Sequence, residues 1–131
     1  MEITHHTRNL PIAPRKLRLV ADAVRHVPTD KALSLLDLLP QKGGHLIFKA
    51  LKAAIDMAKT HDLDVTALTV HTIKVDQGRV LKRVIGHSRG RMAPIMKQHS
   101  HLTLVLTGEA QKRATVKAKA TPKSAEQGEE N

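Results

Sequence analysis

The span from Gln77 to Thr107 holds six Lys or Arg residues (Arg79, Lys82, Arg83, Arg89, Arg91, Lys97) and no Asp or Glu. It is framed by two strand-like runs. Leu68 to Asp76 is rich in Val, Thr and Ile, which favours extended backbone. His101 to Thr107 alternates, with Leu102, Leu104 and Leu106 pointing one way and His101, Thr103, Val105 and Thr107 the other, as in a half-buried strand. Paired as an antiparallel hairpin, these runs leave about two dozen residues between them. Two arms of about twelve residues reach roughly 40 Å at about 3.3 Å per residue. That exceeds what so small a domain needs for its own core, and a free hairpin of this length is marginal in water. The arm, about residues 76–101, is therefore expected to be ordered by something it penetrates. A basic run on a loop is often no more than a solvated surface. The absence of any acid across this whole span argues for a polyanion instead.

Details of the span sharpen the expectation. Gly86 and Gly90 are free to take positive φ or to admit another surface closely. Pro94 cannot donate to a ladder and marks a break or an edge near the tip. Arg89 and Arg91, either side of Gly90, are each able to fork onto a phosphate.

Net charge supports the same partner. The chain has 131 residues, a formal charge of +10 and a pI near 10.3, so it is one domain with at most a tail. Such a balance points to nucleic acid or, in competition, an anionic membrane surface. Phe48 is the only aromatic residue. Modules that read single strands stack bases on aromatic platforms, so this chain is expected to bind folded nucleic acid through phosphate, sugar and shape. No run approaches the length of a membrane-spanning helix, and MEITHHTRNLP lacks the apolar stretch of a signal peptide, so neither membrane nor export is expected. Zero cysteines exclude disulfides and thiolate metal sites.

Ahead of the arm the pattern is helical. Ile3 to Arg8 alternates weakly and suits a short edge strand. Pro14 fits the first position of a helix, in which Leu17, Val20, Ala21 and Val24 form one buried face through Arg25, with Pro28 ending it. Thr29 or Asp30 is expected to cap a second helix running to about Leu39, where Leu33, Leu35, Leu36 and Leu39 give an apolar surface. The leucines of both helices are read as core rather than as a partner groove. A third helix is expected over His45 to Lys59, with a stripe of Ile47, Leu51, Ala54, Ile55 and Ala58. Gly43 and Gly44 weaken its start. From Glu109 to Asn131 only Val116 is both β-branched and apolar, so residues 109–131 are read as a disordered tail on a domain spanning 1–108.

Catalysis finds little support. His99 and His101 share a strand face but have no Cys or carboxylate nearby, so hydrogen bonding to phosphate or backbone is the expected role. Asp22, Asp56 and Asp76 lie on separate elements, and the acid-free arm offers no acid–base pair. No enzyme, cofactor or metal is expected. Two binding readings remain: a structural RNA-binding protein, or a free architectural DNA- or RNA-binding module whose arm wraps a groove.

Three segments in order resemble the family of large-subunit ribosomal protein twenty-two. They are Ala13-Pro14-Arg15-Lys16-Leu17-Arg18-Leu19-Val20-Ala21, then Ile73-Lys74-Val75-Asp76-Gln77-Gly78 with Leu81-Lys82-Arg83, and finally Arg89-Gly90-Arg91 through Ser100-His101-Leu102-Thr103. The resemblance covers roughly residues 1–108. It implies an α+β fold, three helices packed on a small antiparallel sheet with a long hairpin arm, and a structural role in the cytoplasmic ribosome. It further implies that the protein binds large-subunit rRNA, supports assembly, neighbours other large-subunit ribosomal proteins, and lines the peptide exit tunnel with a tip that meets the nascent peptide. No homo-oligomer is implied. Carried onto this chain, the rRNA-binding residues are Arg15, Lys16 and Arg18 of the first helix and Arg79, Lys82, Arg83, His87, Arg89, Gly90, Arg91, Lys97 and His101 of the arm. The family usually has Pro where Arg79 stands, arginine where His87 stands and a small residue where Met92 stands.

Overall fold

A computed structural model of the chain describes residues 1–108, and the expected disordered tail at 109–131 lies outside the described residues. In order, the elements are strand β1 (Glu2–Leu10), helices α1 (Pro14–Val24), α2 (Thr29–Leu38) and α3 (Lys42–Thr60), then strands β2 (Thr69–Gly86) and β3 (Met92–Thr107). Short 3-10 turns occupy Val65–Ala67 and Ser88–Gly90. The three strands form an antiparallel sheet in the order β1-β3-β2. This is the α+β architecture expected from the sequence.

One face of the sheet carries the helices. Leu102, Leu104 and Leu106 of β3 are all buried, as their alternation requires, beside Val70, Ile73 and Val75 of β2 and Ile3 of β1. Against them pack Leu17, Val20, Ala21 and Val24 of α1 and the full expected stripe of α3. Burying each such leucine stabilises the fold by about 1.5–3 kcal/mol relative to exposure. On β2 the buried positions step from Val70 to Ile73, an odd interval for a strand. A register shift between Val70 and Thr72 absorbs the extra residue.

Three expectations about the helices are corrected. Thr29 does not cap α2 with its side chain: it is buried, and its hydroxyl donates to the Leu68 carbonyl at 3.2 Å. The connection from α1 to α2 also bonds to the start of β2, with the His26 N–H donating to the Val70 carbonyl at 2.9 Å. Helix α3 begins earlier than helix propensity suggests, because Gly43 and Gly44 are packing residues. A methyl on Gly43 would lie 3.1 Å from Val20 Cγ2, and one on Gly44 would lie 3.1 Å from the Leu36 carbonyl. Nor are the leucines of α1 and α2 all core. Leu36 is buried, but Leu19 is 71 %, Leu38 84 % and Leu35 37 % exposed.

Candidate nucleic-acid interface

The arm begins where the sheet narrows. β1 pairs with β3 only as far as Leu10 opposite Ser100, so beyond Ser100 β3 has β2 as its one partner strand among the described residues. From Gln77 to Gly86 the two-stranded section reaches about 30 Å. The 40 Å expected is not reached, because a bulge and the tip turn consume residues. Pro94 stands in register opposite Val84 without breaking the pairing, tolerated because β3 has a free edge there.

The arm's root is built around Gly78, Ser100 and His101. Between Gln77 and Val80 one extra residue of β2 bulges against β3. A methyl on Gly78 would sit 3.1 Å from the His99 carbonyl oxygen and 3.2 Å from His101 Nε2, so this close approach needs glycine. On the other side of β3, Asn9 takes φ 57°, and its backbone N–H donates to His101 Nδ1 at 3.1 Å. His101 is thus wedged between irregularities in both neighbouring strands, with a backbone bond of the kind expected. Ser100 is fully buried, and its hydroxyl donates to the Ile12 carbonyl at 2.6 Å. Arg18 braces the same region from α1, its Nε and Nη2 both donating to the Val75 carbonyl at 3.2 and 2.9 Å. Neither this brace nor the Ser100 bond is legible from local sequence.

Beyond the bulge, residues directly opposite share a face. Val80 with Gln98, Lys82 with Met96, Val84 with Pro94 and Gly86 with Met92 form one face. Leu81 with Lys97, Arg83 with Ile95 and Ile85 with Ala93 form the other. The cations are therefore divided: Lys82 on the first face, Arg83 and Lys97 on the second, and Arg79 in the bulge. All four are exposed. Both faces also expose large apolar side chains, with Met92, Val84 and Met96 on the first and Ile85 and Ile95 on the second.

At the tip, the His87 N–H donates to the Arg91 carbonyl at 2.7 Å and closes the turn. Gly90 takes φ 72° as anticipated, whereas Gly86 remains within the strand. The second left-handed residue is Arg89, at φ 58°. An L-residue held there costs on the order of 1–2 kcal/mol. His87, Arg89 and Arg91 are all exposed.

In the globular part, Arg15, Lys16 and Arg18 are exposed on α1. Of these, Lys16 shares a groove of about 510 Å³ with Lys97 of the arm, joined by Lys42 of α3, which no sequence pattern marks as a site residue. The structure thus brings Lys16 and Lys97 together at the root, while Arg89 and Arg91 stand apart at the tip. Among the described residues no group of three or more His, Cys, Asp or Glu side chains is placed to hold a metal ion, and no helix is long and apolar enough to cross a membrane. On β1, the His5 ring meets the Met57 sulfur at 3.3 Å and the Thr7 hydroxyl at 3.1 Å. Burial, and secondarily the neighbouring His6, push its pKa below the usual histidine value.

Residues 5–107 match the sequence model of the family described as ribosomal protein L22p/L17e. The chain belongs to this family. It is 37 % identical over 111 residues to large ribosomal subunit protein uL22 of Desulfosudis oleivorans, covering 85 % of this chain and 97 % of that one. It is 40 % identical over 111 residues to the protein of the same name from Chloroflexus aggregans, covering 84 % and 98 %. The corresponding Desulfatibacillum aliphaticivorans protein is 36 % identical over 106 residues, covering 81 % and 98 %. Membership in the L22p/L17e family indicates a structural constituent of the large ribosomal subunit, found with ribosomes in the cytoplasm, and not an enzyme.

Proposed function

We propose that this chain binds large-subunit rRNA with its arm enclosed by the RNA, and that it supports assembly of the subunit. The observation that carries this reading is the division of the arm's cations. Lys82 faces one way, Arg83 and Lys97 the other, and Arg89 and Arg91 crown the tip, with no acid in the span. A protein lying on the outside of a nucleic acid needs cations on one side only. A rod with cations on both faces and apolar side chains uncovered between them suits a channel that surrounds it, where phosphates neutralise the charges. The exposed cations Arg15 and Lys16 extend the same surface onto the body, which with the arm makes residues 1–108 the working unit. Arg18 and His101 serve first as braces at the root, and Gly90 serves the tip turn.

By this reading the tip, with His87 and Arg91 held together by a backbone bond, reaches the peptide exit tunnel and meets the nascent peptide. Neighbouring large-subunit proteins then lie against the remaining surface of the body. The test is salt titration of binding to a large-subunit rRNA fragment. Arg83→Ala, Arg89→Ala and Arg91→Ala combined should lower the slope of log affinity against log salt by about two to three, at roughly 0.7–0.9 per phosphate contact. An unchanged slope refutes the arm as the phosphate-contacting element. Sedimentation separates this reading from a free architectural module: absence of the protein from large subunits in lysate sinks the ribosomal role.

A further inference from the structure

We propose that the groove at the root of the arm is a second RNA backbone seat, in which Lys16, Lys42 and Lys97 hold the phosphates of one strand. The inference rests on the rRNA-binding reading and adds to it a site and a residue, Lys42, that neither the arm nor the first helix would reveal. The three lysines come from α1, α3 and β3, and converge on one cavity of about 510 Å³ whose lining has no acidic side chain among the described residues. That volume is in the ordinary range of ligand-binding clefts. Pro11, Ile12 and Leu81 give it an apolar wall against which a sugar can rest.

The placement of the lysines runs against the fold's own electrostatics. A helix N-terminus carries partial positive charge and favours Asp or Glu in its first turn. Helix α1 instead opens with Arg15 and Lys16, and α3 with Lys42, and neither first turn has an acid or a side-chain cap. Helix α2 is the internal control: Asp30 occupies its first turn, and that turn faces a different hollow. The two helices that break the preference are the two whose starts border the groove. Stability of the free protein does not account for this arrangement, whereas an anion shared by both starts does. His99 supplies an independent sign. It lines the same groove, and its ring Nδ1 is buried without a hydrogen-bond partner. Native proteins rarely leave such an atom unsatisfied, and a bound backbone toward which the ring can turn would provide the missing partner.

The experiment compares full-length wild type, Lys42→Ala and Lys31→Ala for binding to the large-subunit rRNA fragment across a fourfold rise in salt. Lys31 lies on α2 beside Asp30, away from the groove, and controls for net charge. Lys42→Ala should lose about one phosphate contact, so its affinity falls roughly threefold less over that salt range than wild type's does. Lys31→Ala should follow wild type. The thermal midpoint of free Lys42→Ala should be unchanged or raised, because a cation leaves a helix N-terminus. Lysine acylation read by mass spectrometry should show Lys16, Lys42 and Lys97 protected in the complex and Lys31 not. If wild type binds steeply but Lys42→Ala keeps the same slope and Lys42 stays reactive, the groove is overturned alone. Failure of wild type to bind overturns the rRNA reading, and this inference with it.

Discussion

Ser100→Ala tests whether the arm's root is held by one buried hydrogen bond. Ser100 stands opposite both Leu10 and Gln77, at the point where three strands become two. Its side chain is closed to water, and its hydroxyl donates to the Ile12 carbonyl at 2.6 Å in the segment that leads into α1. Alanine fits the space but leaves that carbonyl without this donor. A buried polar group stripped of its partner costs about 1–3 kcal/mol. For a folded region of this size each kcal/mol lowers Tm by roughly 4–8 °C, so a fall of about 4–24 °C is expected. Urea unfolding followed by circular dichroism is the assay. The midpoint should move while the slope m stays constant, since the same surface is exposed on unfolding. Ser100→Cys, nearly isosteric but a weak donor, should fall between. A Ser100→Ala protein within about 0.5 kcal/mol of wild type would refute the argument, because only a carbonyl already satisfied elsewhere tolerates the loss.

Gly43→Ala and Gly44→Ala should separate although they are neighbours. Both gain about 1 kcal/mol of helix propensity, but the methyl on Gly43 meets side-chain ends of Val20, Ile12 and Leu17, whereas that on Gly44 meets the Leu36 backbone oxygen. Gly44→Ala should be the less stable by about 1–2 kcal/mol in urea. At the tip, Arg89→Gly relieves a left-handed residue while giving the unfolded chain more freedom, so stability should stay within about 0.5 kcal/mol. Its rRNA salt slope should drop by roughly 0.7–0.9 nonetheless, as the cation is gone. His5 has a folded pKa below the ordinary histidine value of 6.5, so the unfolded chain binds the proton first as pH falls. Stability is therefore lost as pH drops through 6.5, and the loss levels off below the folded pKa. Denaturation midpoints on either side of that window should fall less for His5→Gln than for wild type.

Long-period features were readable from residues alone. The 3.6-residue spacing of Leu17, Val20, Ala21 and Val24 and the alternation of Leu102, Leu104 and Leu106 each name a buried face, because burial is what imposes those periods. The arm is legible from the two strand-like runs that frame it, and its charge from the lack of acids between them. What escaped were features set by pairs distant in sequence. The bulge needs glycine at Gly78 because the His99 backbone and the His101 ring approach it closely, and no local pattern around Gly78 announces them. Arg18 looked like one more surface cation, yet its guanidinium reaches the Val75 carbonyl across 57 positions of sequence. Lys42 is not legible as a helix-start residue because Gly43 and Gly44 argue locally against a helix there, a penalty that close packing on Val20 and Leu36 overrides. One signal for the groove is present all the same: basic first turns without acids on two of the three helices among the described residues.

The root and the rod divide the work of placing the tip. Along the rod each face mixes cations with exposed aliphatic and thioether side chains, and no layer of this chain covers either face among the described residues. A two-stranded ribbon of this kind has no core of its own, so its direction in the free protein is set at its base. There Arg18 holds β2 through Val75, Ser100 holds β3 through Ile12, and Asn9 holds His101. Two of the braces hold β3 and one holds β2, each from a different neighbour, so tilting the arm strains at least one of them. A steered but pliable rod suits entry into a folded RNA: the braces aim it, and phosphates on both sides then fix it. Weakening a brace, as in Ser100→Ala, should slow association with rRNA more than it changes the salt slope, because aim is lost but no phosphate contact is. Removing tip cations should do the reverse. Stopped-flow association measured beside equilibrium salt titration separates the two, and equal effects of both mutant classes on the slope would contradict this division of roles.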